Sequence, residues 1–172
     1  KGTAREIVGL GGKLWVDEIY NDTSSDGYRW MKTHNTQSGY SQMDLNVMYP
    51  VGKPLGNAQI RLTGSAARIR TKVVDGAVLT TVEKGGTFII LDFLPNKASD
   101  GYRWMKVLYS LDESRTGTGY AQFDPKVMYP YTTSGKPTEE SGENEEAQKS
   151  SGENLHMVLT GSAAAIRSGA VK

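Results

Sequence analysis

The chain contains no cysteine. Disulfides, thiolate metal sites and cysteine nucleophiles are therefore excluded, and stability has to come from aromatic and aliphatic packing alone. Histidine is scarce, with only His34 and His156. A hydrolytic triad needs a histidine oriented by a carboxylate beside a nucleophile, and no phrase around either residue supplies one. Charge of one sign is missing as well. Twenty basic residues against 19 acidic ones leave a formal charge of +1, which is no electrostatic footprint for DNA, RNA or an anionic membrane surface. No run approaches the roughly 18 apolar residues of a membrane-spanning helix. No segment carries a long apolar stripe at helical period either. Walker loops, dinucleotide fingerprints and metal-ligand spacings are also lacking. These absences argue against catalysis, a cofactor or a bound metal, and against nucleic-acid or membrane partners.

What the chain does contain is a repeat. Asp26-Gly27-Tyr28-Arg29-Trp30-Met31-Lys32 recurs letter for letter as Asp100-Gly101-Tyr102-Arg103-Trp104-Met105-Lys106. Each copy runs on to the same close, Gly39-Tyr40 to Val47-Met48-Tyr49-Pro50 and Gly119-Tyr120 to Val127-Met128-Tyr129-Pro130. A third match displaces the boundaries. Leu62-Thr63-Gly64-Ser65-Ala66-Ala67 with Ile69-Arg70 opens the second copy, but its twin, Leu159-Thr160-Gly161-Ser162-Ala163-Ala164 with Ile166-Arg167, stands at the far C-terminus. Residues 159–172 followed by 1–50 thus reproduce the module 62–130, with a shorter loop after Lys32. The chain reads either as a circular permutant or as one period cut from a tandem array. In both cases the C-terminal strand completes the N-terminal half-module, within one chain or between neighbours.

The intact copy reads as short strands. Ala77–Val82 is β-prone, and Thr87–Phe93 is apolar and β-branched after the turn Lys84-Gly85-Gly86. Pro95–Gly101 reads as a turn-rich connection. Tyr102–Leu108 alternates, with Tyr102, Trp104 and Lys106 on one face. Leu111–Gly119 reads as a polar loop, Tyr120–Phe123 as a strand, and Asp124–Tyr129 as a tight helical turn with a last strand. Such short strands and frequent turns predict an all-β chain of small barrels. The expected division is residues 1–50 plus 157–172 as the split barrel and 60–130 as the intact one. Residues 51–59 read as a short linker, and the glutamate- and serine-rich 131–156 as a flexible acidic one.

These phrases also carry a resemblance. The opening Leu-Thr-Gly-Ser-Ala-Ala-x-Ile-Arg, the Lys-Gly-Gly before a β-run, the Asp-Gly-Tyr-Arg-Trp strand and the closing Gly-Tyr-Ala resemble the bacterial SH3-like (SH3b-type) cell-wall-binding domains. The Asp-Gly-Tyr-Arg-Trp strand is particularly similar to tandem pairs in phage endolysins and autolysins. The resemblance covers both copies and implies two SH3-like barrels, the first completed by the C-terminal strand. It also implies a non-catalytic module that targets peptidoglycan or its peptide cross-links, placed outside the cell or in the wall, as the targeting part of a wall hydrolase. The chain departs from the family in carrying no catalytic domain and in having one copy split. The alternative is an assembly protein whose residues 157–172 complete the barrel of the next chain, with self-association by strand exchange.

Candidate ligand-binding residues are the repeated aromatics and acids: Tyr28, Trp30, Tyr40, Tyr102, Trp104, Tyr120, Asp26 and Asp100. Tyrosine and tryptophan stack on sugar faces or cover peptide stems while hydrogen-bonding through a polar tip. They are equally what a small cysteine-free barrel uses as core, and an aspartate before glycine equally starts a turn. Arg29, Arg103, Arg70 and Arg167 read as solvent-facing or loop-bracing residues, and Trp15 as packing.

Overall fold

The computed structural model describes residues 2–54, 56–132, 154–161 and 163–170. Among these there is no helix, and the chain is all-β. It divides into two compact units, residues 1–51 with 131–172, and residues 52–130. In chain order the first strands are β1 (Ala4–Val8), β2 (Lys13–Ile19), β3 (Arg29–His34), β4 (Ser38–Met43) and β5 (Met48–Val51). Then come β6 (Ala58–Leu62), β7 (Ala67–Arg70), β8 (Val78–Val82), β9 (Thr87–Lys97), β10 (Arg103–Ser110), β11 (Thr116–Phe123) and β12 (Met128–Tyr131). The C-terminal pair is β13 (His156–Leu159) and β14 (Ala164–Arg167).

Two seven-stranded sheets result, ordered β1-β14-β4-β3-β2-β13-β5 and β8-β7-β11-β10-β9-β6-β12. The two orders correspond strand for strand, with β7 in the place of β14 and β6 in the place of β13. The two sheets therefore share one topology, consistent with two small β-barrel-like domains. In the first, β13 runs between β2 and β5, with Met157 opposite both Leu14 and Pro50. β14 runs between β1 and β4. The C-terminal strands thus complete the N-terminal unit within one chain.

Residues 2–3 and 167–168 meet where the second unit has a loop. Arg70 Nη1 donates to the Gly76 carbonyl (2.9 Å), and the Thr71 amide donates to the Ala77 carbonyl (2.9 Å). In the first unit Arg167 Nη1 donates to the Gly2 carbonyl (3.3 Å), and the Ser168 amide donates to the Thr3 carbonyl (3.0 Å). The same bonds hold a closed turn in one unit and two separate segments in the other. Both arginines brace this point, as the sequence suggested. Close approach by the crossing strand also needs a glycine. A Cβ on Gly39 would stand 2.3 Å from the Arg167 carbonyl, and one on Gly119 would stand 2.6 Å from Ile69 Cγ2.

Alternation along the strands builds each core. The first unit buries Leu14, Val16, Ile19, Met31, Met43, Met157, Leu159 and Ile166. The second buries Phe88, Ile90, Phe93, Met105, Phe123, Ile60, Leu62 and Ile69 at the matching places. Phe93 and Phe123 meet edge to face at 5.3 Å. Aliphatic side chains replace all three phenylalanines in the first unit, and Leu155 stands there in place of the small Ala58, both fully buried.

Several expectations need correcting. The expected short linker 51–59 is not linker throughout, because Val51 ends β5, Gly52 bridges Phe93, and Ala58 starts β6. β9 continues through Pro95 to Lys97, where a turn was expected. Only Leu111–Arg115 remains a loop, since β11 starts at Thr116. The expected acidic linker is also shorter than read: Tyr131 belongs to β12, the Thr132 amide donates to the Ile19 carbonyl (2.8 Å), and His156 starts β13. Its middle, residues 133–153, lies outside the described residues. Asp124 does make the expected tight turn, accepting from the amides of Val127 and Met128 (both 3.1 Å).

Candidate functional site

The repeated Asp-Gly-Tyr-Arg-Trp phrase folds into the same turn twice, just before β3 and β10. The Ser24 amide donates to the Tyr28 carbonyl, and the Ala98 amide to the Tyr102 carbonyl (both 2.9 Å). Gly27 and Gly101 sit at φ 82° and 81°, left-handed values that side chains resist. Aspartate sets the turn from within. Asp26 Oδ1 accepts from the Tyr28 amide (3.2 Å), and Asp100 Oδ1 from the Tyr102 amide (3.0 Å). The same carboxylates accept from the indole Nε1 of Trp30 (3.3 Å) and of Trp104 (3.1 Å to Oδ2). A glutamine from the next strand completes each clamp, Gln42 Nε2 at 2.9 Å and Gln122 Nε2 at 3.0 Å. Register explains its arrival, because Gln42 lies opposite Trp30 and Gln122 opposite Trp104.

Burial works to raise the Asp26 carboxyl, but the bonds from Gln42, the Tyr28 amide and Trp30 together hold it below its ordinary value. The Asp100 carboxyl is likewise held low against burial, by the Tyr102 amide, Gln122 and Trp104. Both acids thus act as charged acceptors that tie turn, indole and neighbouring strand together. Arg29 Nε donates to the Asn21 carbonyl (3.0 Å) and Arg103 Nη1 to the Pro95 carbonyl (2.9 Å), so both brace the preceding chain.

The clamp sorts the candidate residues. Trp30 and Trp104 are 0% and 1% exposed, so their rings pack and present no face to a ligand. Tyr40 is buried with Trp30 and Tyr20 in a small cluster backed by Ala170, while Tyr120 is half-buried. Asp26 and Asp100 spend their oxygens on the clamp. Tyr28 and Tyr102 differ from all of these, at 44% and 48% exposed. Each stands at the tip of a turn whose backbone its own aspartate fixes. The geometry therefore pairs one fixed, outward tyrosine per unit with an Asp–Trp–Gln support in which the indole is buried.

Gln42 and Gln122 were missed by the sequence reading, although Gly-Tyr-x-Gln is itself repeated and marked them. The histidines lacked any such signal. His34 ends β3 and His156 begins β13. His34 Nδ1 donates to Asp17 (2.9 Å to Oδ1, 3.1 Å to Oδ2), and its Nε2 is buried without a hydrogen-bond partner. Among the described residues no hydroxyl is thus within hydrogen-bond reach of that nitrogen. Among the described residues no group of three or more histidine, aspartate or glutamate side chains could hold a metal ion. No helix among them is long and apolar enough to cross a membrane.

Comparison with known proteins adds no identity: no family model, curated protein or solved structure matches the chain.

Proposed function

We propose that the chain is a non-catalytic binding module that targets a bacterial cell-wall polymer, peptidoglycan or its peptide cross-links. The observation that carries this reading is the twofold presentation of Tyr28 and Tyr102. Both are exposed at the same turn and held by the same aspartate clamp. A pre-set aromatic loses little freedom on stacking against a sugar or a peptide stem. Two such contacts on one chain suit a repetitive polymer, where linkage raises avidity by about 10²-fold or more if both engage. The resemblance to SH3b-type domains supplies the polymer class, and the location, outside the cell or in the wall, follows from it.

Co-sedimentation with purified Gram-positive sacculi tests the reading. Tyr28→Ala or Tyr102→Ala alone should weaken binding, and the double variant should lose far more than either. Unchanged sedimentation of a folded double variant would remove the reading.

A second reading is favoured by one observation: β13 and β14 reach the first unit from the far end of the chain. A segment docked in this way can complete another copy instead, which makes strand-exchanged assembly the rival function. Light scattering separates the two. Mass that climbs with concentration and ignores walls favours assembly, while a constant 18.8 kDa with wall binding favours targeting.

A further inference from the structure

The two units differ in one row of side chains. Across the first sheet, His34 of β3, Trp15 of β2, His156 of β13 and Val51 of β5 lie opposite one another in turn. The counterparts of His34, Trp15 and His156 in the second sheet are Leu108, Ile89 and Gln59, and none of them is a histidine. Both histidines of the chain therefore sit in the unit that a distant segment completes, and one of them belongs to that segment.

His156 is almost entirely buried, at 4% exposure. Its ring lies against Trp15, with centroids 4.8 Å apart and planes tilted by 58°. Nδ1 is 3.0 Å from the Asn154 carbonyl and must donate to it, which leaves Nε2 as the proton-accepting nitrogen. Neighbouring strands set its surroundings. β2 brings Lys13, opposite Val158, together with Trp15 and Asp17, and Asp17 is already engaged by His34. β5 brings Tyr49 and Val51. Among the described residues of these neighbouring strands, no carboxylate besides Asp17 is placed to neutralise a charged ring at this position.

We propose that protonation of His156 unlatches the C-terminal strand pair of the first unit, so that docking of residues 155–167 depends on pH while the second unit's strands do not. Burial lowers the proton affinity of the imidazole. The Asn154 carbonyl works against that, and Lys13 adds to it. Trp15 offers a charged ring some cation–π attraction, but the cost of desolvating the charge outweighs it. The sign follows from linkage. A histidine whose proton affinity is depressed by folding stabilises the docked state fully above its ordinary value of 6.5. That contribution is lost as pH falls from there through the lowered folded value. Burial of Leu155, Met157, Leu159 and Ile166 and pairing with the neighbouring strands hold the segment, and protonation of His156 weakens that hold on acidification.

Hydrogen exchange of the full chain, read by mass spectrometry at about pH 5 and about pH 8 where histidine changes charge, tests this. After correction for intrinsic rates, residues 155–167 should lose protection severalfold at the lower pH, while residues 58–70 should not. H156Q installs the residue that the second unit uses there, Gln59, and should abolish the difference. Equal responses of the two segments in the wild-type chain would overturn the proposal, even if H156Q failed to fold. So would a folded H156Q that kept the pH dependence.

Discussion

Asp100 illustrates how much one carboxylate organises. It accepts a backbone amide, an indole and a glutamine amide at once. Asp100→Ala leaves the Trp104 Nε1 buried without its acceptor, which costs about 1–3 kcal/mol for such a group. The second unit should lose about that much stability, seen as a lower thermal midpoint with the first unit unchanged. Asp100→Asn keeps one acceptor and should cost less. Since the native carboxyl is held below its ordinary value of 3.8, its contribution is present above that value and fades as pH falls below it. That acid-side loss should be missing in Asp100→Asn, and an identical acid profile for both proteins would refute the assignment. The aromatic candidates were legible as residue types, but their exposure was not. Alternation puts Trp30 on the outer side of its strand. There Tyr20, Tyr40 and Ala170 cover it, and no period-two pattern reveals a second small core.

At the scale of elements, β13 and β14 are the pieces without which the first unit cannot close. They contribute Met157, Leu159 and Ile166, with Leu155 just before them, all essentially inaccessible. At about 1.5–3 kcal/mol for each buried apolar side chain, their removal takes roughly 6–12 kcal/mol, comparable to the about 5–15 kcal/mol that holds an ordinary domain together. Deleting residues 155–172 should therefore unfold the first unit and leave the second folded. Near-native fluorescence of Trp104 with a shifted Trp15 and Trp30 signal would register this, and an intact first unit would contradict it. β14 was readable, because Ala164-Ala165-Ile166-Arg167 echoes Ala67-Arg68-Ile69-Arg70. β13 was not, because His156-Met157-Val158-Leu159 keeps only the final leucine of Gln59-Ile60-Arg61-Leu62, and His156 is buried where Gln59 is half-exposed. Loop chemistry diverged as well. Glu6 of β1 caps the short β3–β4 turn through Asn35, Thr36 and Gln37. In the longer β10–β11 loop, Asp112 does the same from inside, through Ser114 and Arg115. A comparison of letters finds no trace of that substitution, because one function moved between strands.

For the molecule as a whole, the internal repeat made the all-β class and the displaced boundary readable. What it could not convey was which strands would lie side by side, since that depends on register. The permuted connectivity has a consequence in time. Thr3 and Ser168 are bonded across 165 positions of chain, whereas Arg70 reaches Gly76 across six. Closing the longer span costs about 3 kcal/mol more in chain entropy, and non-local pairing is slow pairing. Refolding should show a fast phase reported by Trp104 and a slower one reported by Trp15, and a single shared rate would count against this. During synthesis the order is imposed outright. The second unit is complete once Tyr131 has left the ribosome, while residues 2–51 wait for β13, the strand that joins β2 to β5, and for β14.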